Sequence, residues 1–431
     1  MGQQWDICEL IARCCEADTG DGATLAQDLA ILMAGSCDIN GELTLLHEPS
    51  MAGAVRQFGR SYQVRFGERM PAAHCRALQA IDRCRTPVLG GHVVGCSGCP
   101  VEDYAYHSCG HRSCPKCLQE DGEEWFERRQ RELLPVPYFH IVFSVPNELH
   151  WIIRKHQRAL YPILMRAAAR TLLEIAADAR YLGGTIGVMA TLHTWSRTLI
   201  YHPHVHCLVP AGSVDEQGQW HAAKSRYLAP ENVLARVFQA KLWAMVSAAV
   251  EGLQPPGAAL HTCSEVHVDL PKHGTDAVLR YLARSLHRGP ISDYRILEVT
   301  DTDVCFQYRA GDRRQWRVMR LDGHEFLRRF LQHVWPERLH KVRYYGLLSR
   351  KFQTQFEAIR QQLLAATPVT DMTPAVAARD AAPTAPRSPR WLKCPHCGGQ
   401  RIILGHFAPG TSPPPLRAPS TSAISPPAQP P

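Results

Sequence analysis

The sequence has no run of about 18 uncharged apolar residues, so nothing in it reads as a membrane-spanning helix. It has no basic segment at its start: Met1 to Leu10 carries acids instead, which argues against a secretory leader and for a cytoplasmic protein. There is no Gly-rich phosphate-binding loop, so no nucleotide cofactor is expected. The His-x-Glu and Pro-Cys-x-x-Cys signature of zinc deaminases is missing as well. Charge of one sign is scarce: 48 Lys and Arg face 40 Asp and Glu, a net +8 that suits a polyanion partner without identifying one. What is present is ordinary for a folded chain, 45% hydrophobic and 20% charged residues, and 431 residues suit two or three domains.

Cysteine is abundant, and its placement matters more than its number. Of the 16, Cys84, Cys96, Cys99, Cys109, Cys114 and Cys117 fall in one short stretch, and Cys394 and Cys397 form a separate pair. In a reducing compartment such clustering indicates metal rather than disulfides. Cys96-x-x-Cys99 and Cys114-x-x-Cys117 have ribbon spacing, each pair offering two thiolates to a tetrahedral Zn²⁺. Cys84, His92, Cys109 and His111 are enough extra ligands for a second ion. The zinc is expected to be structural, because the site looks closed. Cys394-Pro-His-Cys397 leaves two readings equally open, a remnant or dimer-bridging half-site and a full site, which in sequence only His396 and His406 are near enough to complete.

Composition divides the chain into 1–50, unassigned; 51–134, helical and zinc-binding; 135–300, strands alternating with helices; 301–365; and 366–431. Strands are expected at Tyr138–Val145, Gly187–Trp195, His204–Val209 and Glu265–Leu270, from continuous or alternating apolar runs. Helices are expected at 120–134, 151–179, 275–287 and 326–334, and a β-hairpin over Val304–Met319 around Ala310-Gly-Asp. The last section holds fifteen of the 32 prolines and reads as a disordered tail, with the Cys394/Cys397 knuckle an island in it.

Two stretches carry chemistry. In His202-Pro-His204-Val-His206, period two puts His204 and His206 on one strand face, with lone pairs available to one divalent ion, and Pro203 leaves His202 outside the strand. On the 275–287 helix Arg280, Arg284 and Arg288 form a basic ridge for phosphates, beside Tyr281 and Ser285. A bland surface strand and a core-edge tyrosine are the competing readings.

The stretches "CRTPVLGGHVVGCSGC" (84–99), "SCGHRSCPKC" (108–117), "PYFHIVFSVPNEL" (137–149), "HPHVHCLVPAG" (202–212), "YLARSLHRGPIS" (281–292) and "FLRRFLQHVWPERLHKVRYYGLLSRK" (326–351) are similar, in order, to those of one family. The chain resembles the rolling-circle transposases of the insertion-sequence ninety-one family, within the HUH endonuclease superfamily, from roughly Val55 to Lys351, with "CPHCGG" again at 394. The resemblance implies an α+β chain: an HUH-type nuclease domain with a central antiparallel sheet and flanking helices, preceded by a small zinc-binding domain. It makes His204 and His206 ligands of a catalytic Mg²⁺ or Mn²⁺, and Tyr281 the nucleophile that cleaves single-stranded DNA or element-end hairpins. Many relatives carry a second tyrosine where this chain has Ser285, so a two-tyrosine strand exchange is not expected here. Since serine is a poor ligand, water, His140 or His193 would complete the metal site. Arg338, Lys341 and Arg343 are further phosphate contacts, with His340, Tyr344 and Tyr345 available to stack on bases. A rolling-circle replication initiator, a zinc-dependent DNA-binding protein and a decayed transposase remain alternatives, and the oligomeric state is open.

Overall fold

The computed structural model describes residues 49–118, 133–224, 228–253, 264–269, 289–310, 315–366 and 393–416. Contacts divide the chain into Met1–Leu46 and His47–Pro431, and every described residue belongs to the second unit. The expected helices at 120–134 and 275–287 fall almost wholly outside the described residues, the second of them with Arg280, Tyr281, Arg284, Ser285 and Arg288.

The described part opens with α1 (Met51–Phe66) and α2 (Ala72–Arg83). Ser50 caps α1, its hydroxyl accepting from the Gly53 amide at 3.1 Å and so satisfying one of the amides a helix start leaves unbonded. Strands β1 (Gly91–Cys96) and β2 (Asp103–Tyr106) follow. Then come β3 (Tyr138–Ser144), α3 (His150–Lys155), α4 (Gln157–Ala177), β4 (Gly187–Trp195) and β5 (Tyr201–Pro210). The hairpin of β6 (Gly212–Val214) and β7 (Trp220–Ala222) leads to α5 (Glu231–Ala249) and β8 (Val266–Asp269). The remaining elements are β9 (Ile296–Val299), β10 (Asp303–Arg309), β11 (Trp316–Asp322), α6 (Gly323–Leu331), β12 (Val342–Gly346), α7 (Gln353–Ala366) and β13 (Arg401–Phe407). No described helix is long and apolar enough to cross a membrane.

The centre is a five-stranded sheet of order β12-β4-β5-β3-β8, with every pairing antiparallel. One face is apolar along its length. Ile141, Phe143, Val188, Ala190, Leu192, Val205, Cys207, Val266 and Val268 meet α3, α4 and α5 there. Ala167, Ala168 and Ala169 are fully buried on α4, where small side chains let a helix lie close to a sheet. The other face changes character along the strands. At one end Tyr138, Met189 and Leu208 join Leu347 and Ile359, with Phe356 and Leu363 of α7 packed against them. At the other end the same face carries histidines.

A second core joins segments far apart in sequence: α1 and α2, Cys114 and Cys117, Ile296 and Val299, Phe306, and α6. The zinc-binding segment therefore shares its interior with the sheet β11-β10-β9 and α6.

Two local readings change. The helix expected over 151–179 is broken at His156 (φ −116°, ψ 38°) into α3 and α4. Strand β5 begins at Tyr201 rather than after Pro203. The register between β4 and β5 shifts between His193 and Trp195, and β3 ends opposite His204, so a residue without an amide hydrogen interrupts no complete ladder there. The tail also holds more order than its proline content suggests: β13 pairs antiparallel with β1, from Gly91 opposite Phe407 to Cys96 opposite Arg401.

His333, just beyond α6, ties that helix to the turn between β4 and β5. Its Nε2 lies 3.1 Å from the Leu199 carbonyl and its Nδ1 3.2 Å from the Thr194 hydroxyl. A carbonyl only accepts, so Nε2 carries the proton and Nδ1 accepts from Thr194. Burial pushes the pKa of His333 down to about 3. The unfolded chain, with an ordinary histidine near 6.5, then takes up this proton first as pH falls. This contribution to stability is complete above pH 6.5 and is lost as pH drops toward 3. Between pH 7.5 and 5 it amounts to about 2 kcal/mol. Denaturant titrations of the parent and of His333→Leu at both pH values should show the variant less stable at pH 7.5 but with a pH-dependent loss about 2 kcal/mol smaller. Equal losses in the two proteins would contradict this assignment.

Candidate metal centres and nuclease site

Two cysteine quartets are assembled, and neither is the one that spacing suggested. Cys84 joins Cys109, Cys114 and Cys117, while Cys96 and Cys99 join Cys394 and Cys397 from the far end of the chain. Within each set the sulfurs lie within 4.8 Å of one another. Cys84 and Cys117 are 3.6 Å apart, Cys109 and Cys117 3.5 Å, Cys96 and Cys397 3.4 Å, and Cys99 and Cys394 3.7 Å. Four sulfurs around one Zn²⁺ at about 2.3 Å would stand about 3.8 Å apart, so both sets fit tetrahedral zinc.

The turns are built for thiolates. The amides of Gly98, His111 and Gly399 point at the sulfurs of Cys96, Cys109 and Cys397 at 3.3, 3.4 and 3.4 Å, and each such bond favours the charged form of its sulfur. In the buried quartet the Cys109 thiol is the main influence that lowers the Cys84 pKa to about 7. The expected pairing of Cys96/Cys99 with Cys114/Cys117 is thus replaced. The Cys394/Cys397 knuckle is neither a remnant nor an island, because β13, which follows it, pairs with β1 up to Cys96 opposite Arg401, and the two thiols gather with those of Cys96 and Cys99.

His92 and His111 enter neither quartet. His111 accepts from the Ser113 amide at 3.2 Å. His92 sits between two other imidazoles, with His406 Nδ1 at 2.7 Å and His107 Nε2 at 3.1 Å.

The third cluster is His193, His204 and His206. His193 on β4 faces His204 on β5 across the ladder, and His206 follows two residues on along the same face. Ring centroids are 4.3 Å apart for His193 and His206, 4.9 Å for His204 and His206, and 5.4 Å for His193 and His204. Hydrogen bonding orients two of the rings. His204 Nδ1 lies 2.7 Å from the His202 carbonyl, so it carries the proton and leaves the Nε2 lone pair for a ligand. His206 Nδ1 lies 2.9 Å from His140 Nε2, which makes His140 the orienting neighbour rather than a member of the cluster. His193 Nε2 is buried with no hydrogen-bond partner among the described residues, a costly state for a nitrogen unless something else takes its lone pair.

Burial drives the pKa of His193 and His206 well below the ordinary value and that of His204 to about 4. All three are therefore neutral at pH 7, as metal ligands must be. Among the described residues no carboxylate joins them, and an all-nitrogen donor set favours Mn²⁺ over the harder Mg²⁺.

The surroundings tie this site to the zinc-binding segment. Arg112 donates to the Leu339 carbonyl at 2.7 Å. Arg112 and Ser113 line a narrow cleft with Gly289, Pro290, His333, Trp335 and Lys341. The Lys341 amine lies 5.0 Å from the centre of the Trp335 ring, and enclosure brings its pKa down to about 7.

Of the residues expected to grip DNA, Arg338 and His340 are exposed, whereas Lys341 is enclosed and Arg343 is half-buried on β12. Tyr344 and Tyr345 alternate on β12, Tyr344 packing into the core beneath α7 and Tyr345 into the core around α4 and α5. Both rings are committed to packing.

The comparisons with known proteins agree with this geometry. Residues 187–355 match the family model described as "Putative transposase", and residues 54–145 match the "Transposase zinc-binding domain". A 338-residue stretch, 73% of this chain, is 37% identical to the Sinorhizobium fredii protein named "Putative transposase y4qJ" and covers 84% of it. The chain belongs to the insertion-sequence ninety-one family of transposases. It is also 28% identical over 305 residues to the transposase for insertion sequence element IS801 of Pseudomonas savastanoi pv. phaseolicola, covering 66% of this chain and 73% of that one. DNA is thus the transposase's partner, and its cysteine-rich segment is a zinc-binding domain. That domain's match ends at residue 145, far short of Cys394 and Cys397.

Elemental analysis of the purified full-length transposase should find two zinc ions per chain. Cys394→Ser with Cys397→Ser should reduce this to one and leave the Cys84 quartet loaded. A single ion in the parent, or no loss in the double variant, would refute the pairing of the two chain ends.

Proposed function

We propose that this transposase nicks and rejoins single-stranded DNA at the ends of its element through a 5′-phosphotyrosine on Tyr281, in rolling-circle transposition. The observation that carries the reading is the set of three neutral imidazoles, buried His193 and His206 with half-buried His204, on facing strands of a chain of this family. A divalent ion held there, Mn²⁺ or Mg²⁺, would supply Lewis-acid polarisation of the scissile phosphate.

The protein groups divide the remaining work. Tyr281 provides the nucleophilic oxygen: a bond forms between that oxygen and phosphorus, the bond from phosphorus to the 3′ oxygen breaks, the phenol gives up its proton and the 3′ oxygen gains one. The phosphotyrosine keeps the free energy of the phosphodiester, so attack by a 3′-hydroxyl can reseal a strand without a nucleotide cofactor. His140 and the His202 carbonyl hold the rings of His206 and His204 in the orientation the site needs. Arg280, Arg284, Arg288 and Arg338 would hold phosphates along the strand.

Tyr281 lies outside the described residues, but both flanks of its segment are described. The strand before it, β8, sets Asp269 beside His140. The chain after it returns at Gly289 and Pro290, in the cleft with His333 and Lys341. His333 is bonded to Thr194, the neighbour of His193. The described residues on either side, Asp269 and Gly289, thus lie by the histidine strands and the cleft next to them, which supports this reading. Ser285 does not substitute for the nucleophile, since a serine hydroxyl at neutral pH needs a dedicated base.

The test is incubation of full-length protein with end-labelled single-stranded element ends and Mn²⁺, followed by a denaturing gel and peptide mapping. A covalent adduct on Tyr281 is expected. Tyr281→Phe and His206→Ala should each lower nicking on the order of 10³-fold or more. An adduct on another residue, or nicking that survives in chelator, would overturn the mechanism.

A further inference from the structure

We infer that His92 and His107 hold an exchangeable divalent transition-metal ion through their Nε2 atoms, with His406 orienting the pair. Neither cysteine quartet uses these residues, nor does the histidine cluster of β4 and β5.

The three rings come from three neighbouring stretches of one sheet. His92 on β1 stands opposite His406 on β13 and Ala105 on β2, and His107 follows directly after β2. Residues opposite one another across antiparallel strands share a face and touch. The His92 ring centre is 4.7 Å from that of His107 and 4.6 Å from that of His406. His92 is half-buried between two exposed imidazoles. Burial and its two neighbours lower the His92 pKa below the ordinary value, so the ring is neutral at pH 7, as a ligand must be.

Proton accounting selects the ligand atoms. His107 Nδ1 lies 3.0 Å from the Leu89 carbonyl, which only accepts, so Nδ1 carries the proton. The Nε2 lone pair of His107 then faces His92 Nε2, 3.1 Å away. His92 has two tautomers to offer. With its proton on Nε2 it donates to His107. With its proton on Nδ1 it donates to His406 Nδ1 at 2.7 Å, and two Nε2 lone pairs are left side by side. Two nitrogens bound to one ion at about 2.0–2.1 Å stand about 2.9 Å apart at a right angle and about 3.3 Å apart at the tetrahedral angle. The separation of 3.1 Å falls between these values. Each ligand keeps its other N–H bonded, His107 to a backbone carbonyl and His92 to His406, as metal-binding imidazoles do. The ion therefore displaces a single hydrogen bond.

The donors indicate the ion. Imidazole nitrogens take borderline ions such as Zn²⁺, Ni²⁺ and Cu²⁺ rather than Mg²⁺ or Ca²⁺. Two protein ligands leave the rest of the shell to water, so this ion exchanges with solution and is lost on dialysis, whereas zinc enclosed by four thiolates is kept. His406 reaches the pair because β13 lies on β1. Binding of the ion and docking of the far end of the chain are thus linked, and each favours the other.

The test is equilibrium dialysis of zinc-loaded full-length protein against Ni²⁺, an imidazole-binding probe that does not oxidise thiols, with zinc counted in the same samples. His92→Phe and His107→Gln should each bind one Ni²⁺ fewer per chain than the parent, with zinc unchanged. His406→Phe should keep that ion but hold it on the order of tenfold more weakly, through loss of the orienting partner. Counting by difference separates the result from any Ni²⁺ taken by His193, His204 and His206, and from the nuclease reading. Where zinc is lost from His92→Phe, showing that β1 is disturbed, His107→Gln decides, since its exposed ring lies beyond β2. Equal Ni²⁺ content in the parent and His107→Gln would overturn the site. Loss of the ion from His406→Phe with retention in His107→Gln would also overturn it, by moving the ligands to the Nδ1 atoms of His92 and His406.

Discussion

The pairing of β4 with β5 is the constraint on which the site depends. Because side chains alternate along a strand, the register that sets His193 against His204 also puts His206, Met189 and Leu208 on the same face. A slip of one residue would send the imidazoles into the apolar core around α4 and bring Val205 and Cys207 out. The apolar end of that face, covered by α7, penalises such a slip, and the register shift after His193 frees the strand ends to turn at Arg197. The histidines are thus held by the hydrophobic pattern of strands they do not themselves stabilise. Their burial has a cost that a bound cation would offset, and a buried nitrogen such as His193 Nε2 identifies where.

The zinc quartets act on a larger scale. With zinc bound, each would supply stabilisation to a segment with little core of its own, on the order of 10 kcal/mol for a structural site. The Cys84 quartet anchors the loop that presents Arg112 to the Leu339 carbonyl, next to the cleft where Lys341 and His333 lie. The quartet of Cys96, Cys99, Cys394 and Cys397 closes a loop of nearly 300 residues and seats β13 on β1. The transposase zinc-binding domain is therefore completed by the far end of the chain, and α1 and α2 are completed by α6 and the β9–β11 sheet.

Much of the nuclease core was legible because its strands are continuous apolar runs: Gly187–Trp195 is read from the sequence with the bounds it has in the structure, and Tyr138–Val145 to within a residue. His193 could be named as a candidate third ligand but not chosen over His140, since that choice depends on cross-strand register rather than on spacing. The partner of Cys96 and Cys99 was hidden for a related reason: sequence proximity favours Cys114 and Cys117, and nothing local shows that a proline-rich tail returns. Strand β12 was obscured by its composition. Val342-Arg-Tyr-Tyr looks like a basic aromatic grip, whereas alternation sends Tyr344 and Tyr345 into two different cores.

The central claim is that His193, His204 and His206 together hold a divalent cation. Pulsed electron paramagnetic resonance of Mn²⁺ added to the zinc-loaded full-length protein measures it directly, because each coordinated imidazole contributes a nitrogen coupling. The account predicts one Mn²⁺ coupled to three imidazole nitrogens, falling to two in His193→Ala, with zinc content unchanged. Mn²⁺ that binds without nitrogen coupling, or a spectrum that His193→Ala leaves as it was, would contradict it.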